Sequence, residues 1–287
     1  MRSRAGFAPS SSHESDRRRR AEPVNGIEIA IDPRAIDLGW ISLHWYGLMI
    51  AVALGVSILF AIREARRLGI SEDAIVGCAF WSILTALAGA RLFHIVDRLD
   101  FYLQNPQLML TGSQAGLAIW GGLLVGSTVG LFYARVTRTP VGKLADAVAP
   151  AMLLGLIVGR LGCLINGDAY GAPVDLPFGL VYLHADAMIP DLGITTHAYP
   201  LYEVLWNGIV FTLVWWLRTR QLPSGMLFLT AAILYSLGRF VLTFLRLEVT
   251  VLAGLQQAQV LGLATIAVCT VLLIVNLRSA QGRPRIG

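Results

Sequence analysis

The apolar positions of this chain fall into seven long runs separated by short polar segments. They lie at about 41–62, 74–96, 116–134, 144–166, 200–217, 225–245 and 258–276, and roughly 18 or more such residues wound as helix cross the hydrocarbon of a bilayer. The runs are continuous rather than alternating. A membrane β-barrel would instead show segments of about ten residues with every second one apolar. The pattern predicts an all-α, polytopic integral membrane protein with about seven transmembrane helices. Pro140, Pro200 and the Pro223-Ser224-Gly225 triplet stand at or near run ends, where proline and glycine start and stop helices. Residues 1–26 are rich in Ser, Arg and Glu without an apolar core and read as a disordered tail. No signal-peptide core is present there, so no cleavage is expected. The division is a tail (1–26), a transmembrane domain (27–277) and a short basic cytoplasmic tail (278–287).

Composition sharpens this picture. The chain is 55% hydrophobic and only 14% charged, against about a quarter charged in soluble domains, which excludes a soluble binding module. The net charge of +5 comes from twenty-two arginines and one lysine, and their placement reports orientation. Arg63, Arg66, Arg67, Arg135, Arg138, Lys143, Arg218, Arg220, Arg278, Arg283 and Arg285 fall on one side, whereas the alternate loops carry only Arg98 and Arg246. The positive-inside rule then puts the N-terminus outside and the C-terminus in the cytoplasm. The RRRR run at 17–20 opposes this, but it lies some twenty residues from the first run, where the rule weakens. Without aromatic interleaving or a folded basic domain behind it, the run does not argue for nucleic-acid binding. The three cysteines, Cys78, Cys163 and Cys269, form no CxxC pair, so neither a disulfide nor a thiolate metal site is expected. No metal or cofactor is expected.

With that orientation, intramembrane polar residues gather at one depth below the outer surface. Arg91, Arg160 and Arg239 lie toward the outer ends of runs 2, 4 and 6. Runs 1, 3 and 5 begin there with His44 and Tyr46, Trp120, and Tyr202 and Glu203. Only Asp146 stands apart. A charged residue inside a span costs about 2.5–3.5 kcal/mol, so several arginines at one level imply a site. Paired guanidiniums in a low-dielectric cleft suit a phosphate, whose oxygens match their planar fork. The phosphate at that depth belongs to an outer-leaflet phospholipid. Gly155, Gly159 and Gly162 have the spacing of close helix packing. In GRLGCLINGDAYG (159–171) the glycines Gly167 and Gly171 bracket Asn166, Asp168 and Tyr170, so the helix ends in a tight polar turn. Trp40, Trp45 and Trp120 suit an interfacial aromatic belt.

That segment resembles the signature of the bacterial prolipoprotein diacylglyceryl transferase family. The resemblance extends, in order, through ISLHWYGLM, GARL, GLAIWGGLLVG, LADAVAPAMLLGLIVGR, HAYPLYEVL and LYSLGRFVLTFLR, over roughly 27–277. It implies transfer of the diacylglyceryl group of phosphatidylglycerol to the lipobox cysteine of a preprolipoprotein signal peptide, with glycerol phosphate leaving. It implies a bacterial cytoplasmic (inner) membrane location with the active site toward the outer leaflet. By the same resemblance Arg160 binds phosphatidylglycerol, with Tyr46, Asn166 and Gly171 as further substrate-binding positions; Trp120 and Arg91, at the same depth, are expected to join them. Arg239, Asp168, Glu203 and Tyr235 are the expected catalytic positions. The chain departs from many members at Trp120 (histidine), Cys163 (asparagine), Asp168 and Thr243 (both glutamate). The substrate supplies the nucleophile, and Asp168, Glu203 or His197 is left as its proton acceptor. The departures keep open an altered-substrate or non-catalytic paralogue. A transporter would need a polar path through the inner half, which is nearly bare of charge, and an internal repeat, which is not seen. An intramembrane protease is disfavoured because GxSxG and HExxH are missing.

Overall fold

The structure is a computed structural model and describes residues 25–39, 42–109, 118–247 and 250–281. The tail at 1–24 with its RRRR run, Trp40, and the C-terminal residues 282–287 lie outside the described residues. The chain folds into helices α1 (Trp45–Leu68), α2 (Glu72–Asp97), α3 (Leu99–Gln104), α4 (Ile119–Val136), α5 (Val141–Asn166), α6 (Tyr199–Leu217), α7 (Met226–Thr243) and α8 (Gln257–Gln281). All but α3 and α6 are long and apolar enough to span a membrane. The α6 helix has 19 residues and packs between α5 and α7 through Val210 and Val214 against Ala149, Leu153, Leu227 and Ala231. Glu203, Asn207 and its tyrosines and tryptophans lower its hydropathy below that of the other six. Large apolar side chains such as Leu59, Phe80, Leu123, Phe132 and Leu205 stay exposed on the outside of the bundle, as a surface solvated by acyl chains requires.

The runs read from sequence match these helices, with differences at the ends that have a local cause. The α1 helix continues six residues past the expected end, because the backbone need not break where hydrocarbon stops. Arg63, Arg66 and Arg67 therefore sit on its last turns rather than in a loop. Gly69 then takes a left-handed φ of 70° and caps it, and Ser71 accepts a hydrogen bond from Ala74 N–H to start α2. At this end of the bundle, alanines allow close approach of four helices. Ala61 and Ala65 of α1, Ala74 of α2, Ala134 of α4, and Ala147 and Ala151 of α5 form one buried cluster. Asp146 has a structural task there. Its carboxylate accepts from Gly225 N–H (2.7 Å) and Phe228 N–H (3.0 Å), capping α7, whose own N-cap is a glycine, with a side chain from α5.

Short strands join the helices, an addition to the all-α expectation. They are β1 (Ile27–Ile29), β2 (Arg34–Asp37), β3 (Ser42–His44), β4 (Leu180–Tyr182), β5 (Thr195–Thr196), β6 (Thr250–Leu252) and β7 (Leu255–Gln256). The β1 strand pairs parallel with β4, and β4 antiparallel with β5. This sheet buries Ile29, Leu180 and Tyr182 against Ile189 and Ala198, forming a cap over the end of the bundle where α5 stops and α6 begins. Tyr182 donates to Leu164 O at 2.9 Å, and burial pushes its phenol up from the ordinary value, so the cap stays tied to α5. Arg34 ties β2 to the same cap through an ion pair to Asp186 (2.7 Å), and pairs locally with Asp32 (3.3 Å) and Asp37 (3.3 Å). Its backbone N–H, with its guanidinium, holds the Asp32 carboxyl below its usual value.

Two tight helix pairs frame the bundle. In α2–α4, a Cβ on Gly121 would lie 2.4 Å from Gly89 O, and one on Gly126 2.9 Å from Ser82 O. In α6–α7, a Cβ on Gly238 would lie 1.9 Å from Trp206 Nε1, whose N–H donates to Leu234 O at 2.9 Å. The indole cannot yield without losing that bond. Gly238→Ala is therefore expected to cost about 1–3 kcal/mol by overpacking, read as a lower melting temperature of the detergent-purified protein. A wild-type melt would show that α6 and α7 are not closed on this glycine.

Candidate functional site

The end of α5 sets the site. The helix winds to Asn166 and stops at Gly167, φ 78°, whose N–H returns to Cys163 O at 2.9 Å. This carries Arg160 to within two turns of the cap. The α7 helix brings Arg239 to its last turn, and α6 presents Glu203 in its second. Glu203 is buried, and both of its oxygens meet arginines. Arg239 Nη1 donates to Oε1. Arg160 Nε closes on Oε2 as an ion pair without hydrogen-bond alignment. Two cations share one anion, so the cluster keeps an excess positive charge. The guanidiniums retain 18% and 21% side-chain exposure, the carboxylate 5%. An anionic ligand can therefore touch the arginines but not Glu203.

From Arg160 an apolar groove of about 560 Å³ runs between α1, α2 and α5. Arg160, Tyr46 and Cys163 line it together with residues as far along as Ala61, Ile75 and Leu144. Gly159 explains the opening. Gly155 and Gly162 do make the close approaches expected of them, to Ser57 and to Met49 and Tyr46, but a Cβ on Gly159 would meet nothing within 4 Å. The expectation of packing at Gly159 is thus corrected: it faces the groove. A larger depression of about 830 Å³, beside Leu205, Gly208 and Trp216 on the outside of α6, has no charged lining.

The geometry is a pair of guanidiniums on one buried carboxylate, with Arg160 of the pair also lining an apolar groove. Comparison with known proteins gives it a family. The profile of the family described as prolipoprotein diacylglyceryl transferase matches residues 33–275. The chain belongs to the prolipoprotein diacylglyceryl transferase family. It is 36% identical to the phosphatidylglycerol–prolipoprotein diacylglyceryl transferase of Bacillus cytotoxicus over 261 residues, covering 89% of this chain and 96% of the relative. It is 38% identical to the protein of the same name from Thermosynechococcus vestitus over 236 residues, covering 81% and 88%. The chain is a multi-pass membrane enzyme that transfers diacylglyceryl groups to prolipoproteins.

Within the transferase, the expected positions divide. Tyr235 lies on α7 one turn before Arg239. Asn166 Nδ2 donates to Asp168 Oδ1 at 3.0 Å and to Met188 Sδ at 3.2 Å, which holds the Asp168 carboxylate at the end of α5. Gly171 is needed for space: a Cβ there would lie 2.6 Å from His197 Cβ and 3.0 Å from Leu245 O. The neighbouring Ala172 N–H donates to Leu245 O at 2.7 Å, so the polar turn threads between the end of α7 and the start of α6. His197 has a buried Nδ1 without a partner and an edge contact to Tyr202.

Arg91 and Trp120 are not brought to the arginine pair. Arg91 donates to Leu108 O (2.6 Å) and Met109 O (3.3 Å) and lies over the Tyr102 ring, so it anchors the segment after α3. Trp120 is 38% exposed on the first turn of α4. Sequence reasoning missed Tyr199, whose hydroxyl lies 2.7 Å from Arg239 Nη1. The available signal was its spacing of four from Glu203, which puts both on one face of α6. Among the described residues one acidic group has metal-like spacing, Asp32, His184 and Asp186. Arg34 already pairs with both of its carboxylates, so it reads as an ion-pair cluster.

Proposed function

We propose that Arg160 and Arg239 grip the phosphate of phosphatidylglycerol while its acyl chains lie in the groove between α1, α2 and α5. The observation that carries this reading is that guanidiniums from two separate helices converge on one buried carboxylate, and that one of them, Arg160, also lines an apolar groove. The lipobox thiol attacks the glycerol carbon that bears the phosphate. A C–S bond forms, the C–O bond to phosphorus breaks, and glycerol phosphate departs with the bond's electron pair. Negative charge grows on the leaving oxygen, and fixed guanidiniums stabilise it more than they stabilise the diester. A thiol has a reference pKa near 8.5, and nearby positive charge raises its thiolate fraction. Asp168 or His197 takes the thiol proton in this reading, because Glu203 already has both oxygens on arginines. Tyr46, Tyr235, Asn166 and Gly171 shape the pocket around these groups.

The active site faces the outer leaflet of the bacterial cytoplasmic membrane, with the N-terminus outside and the C-terminus inside. The charge asymmetry of the connecting turns supports this, and residues 27–277 act as one transmembrane unit.

Incubation of the purified protein with phosphatidylglycerol and a lipobox peptide is expected to add one diacylglyceryl group to the cysteine, read by mass spectrometry. A peptide with serine in its place should gain nothing. Modification supported by a different phospholipid but not by phosphatidylglycerol would overturn the donor assignment.

A further inference from the structure

Tyr199 is completely buried beside the arginine pair, and the reaction as described above gives it no part. It opens α6 one turn before Glu203. Its oxygen accepts from Arg239 Nη1 at 2.7 Å and donates to Glu203 Oε1 at 3.3 Å. Since Arg239 Nη1 also donates to Glu203 Oε1, its two hydrogens both have acceptors. A guanidinium joined to a single carboxylate oxygen can pivot about that contact. A second acceptor on the same nitrogen, fixed to a different point of α6, sets the plane of the fork and the direction of its remaining donors.

A further observation supports this task. The Tyr199 ring lies near two guanidiniums, with Arg246 at 5.0 Å and Arg239 at 5.8 Å from its centroid, distances at which cations interact with an aromatic ring.

We propose that Tyr199 is a positioning residue of the transferase, orienting the Arg239 fork on Glu203 toward the lipid phosphate. This rests on the reading of Arg239 as a phosphate-gripping group.

The test uses the full-length protein with phosphatidylglycerol and a lipobox peptide. Tyr199→Phe keeps the ring and removes only the hydroxyl. It is expected to lower kcat about 10–100-fold, the effect of losing a hydrogen bond to a charged group, with KM for the lipid changed less than about threefold because the loss is felt as leaving-group charge develops. In an Arg239→Lys background, Tyr199→Phe should add less than about twofold, since the fork it orients is already gone. Tyr199→Phe with wild-type kcat would overturn the proposal, and so would an equal loss in both backgrounds. Wild-type activity of Arg239→Lys alone would instead overturn the reading of Arg239 on which the proposal rests. Guanidinium ion supplied to Arg239→Ala gives a second readout: partial rescue is expected with Tyr199 and not with phenylalanine. Equal rescue in both would count against orientation by the hydroxyl.

Discussion

Diacylglyceryl transfer to a lipobox peptide is expected to fall by at least about 10²–10³-fold in Arg160→Ala and, separately, in Arg239→Ala. That range corresponds to removing one fixed donor aimed at developing charge. Both guanidiniums are set by helix ends and a common carboxylate, so neither can swing over to replace the other. Water filling the space would screen the phosphate instead of gripping it. Each alanine variant should still insert and melt cooperatively, because about a fifth of each arginine side chain is exposed and the remaining arginine continues to neutralise Glu203. Arg239→Lys should remain poor, since an ammonium cannot offer the planar fork. Mass spectrometry of the peptide product, with melting curves of the same preparations, checks both halves of the expectation. Wild-type transfer by either alanine variant would remove that arginine from the site.

Glu203→Ala is expected to have the largest effect on stability. The carboxylate is the only acidic group shown paired with the two arginines among the described residues, and its removal leaves two guanidiniums facing one another in a low dielectric. Breaking a buried ion pair from one side costs about 3–5 kcal/mol. Because the arginines keep about a fifth of their side chains exposed, the lower end, about 3 kcal/mol, is expected here. The sign of a coupling distinguishes this from a simple cavity. Adding Arg160→Ala to Glu203→Ala should recover part of the lost melting temperature by removing one of the repelling charges, whereas cavity effects would accumulate. Glu203→Gln, which keeps the shape and an acceptor oxygen, should fall between wild type and alanine. A Glu203→Ala variant that melts like wild type would mean that the carboxylate does not hold the arginines together.

Hydropathy told where the helices are because the requirement it reports is local. A segment must cover the hydrocarbon with apolar side chains whatever its neighbours do. Hence α5 could be ended at Asn166 from the glycine after it, and α8 located from its run alone. The same logic misplaced the end of α1, since arginines outside the hydrocarbon are compatible with either helix or loop. It gave no sign of the strands: pieces of two to four residues are too short for alternation to register, and β1 lies at the edge of a stretch whose composition is that of a tail. At the site, the cost of burying charge made Arg160, Arg239 and Glu203 conspicuous, and their order along successive runs put them at one level. Arg91 was conspicuous for the same reason, although its guanidinium serves backbone carbonyls beyond α3. Burial cost says that a charge has a partner but not which one.

What the sequence alone determined, then, was where the long apolar helices run, the charged residues that mark the site, and the family. Only the tertiary structure decided that Glu203 joins the two arginines, that Tyr199 sits against Arg239, that Asp146 caps α7, and that Gly159 opens a groove where its neighbours close one. The reason is the range of the interactions. Crossing a bilayer is a property of about twenty consecutive residues, whereas a hydrogen bond or a packing gap depends on how helices distant in sequence rotate and approach, which no single segment encodes.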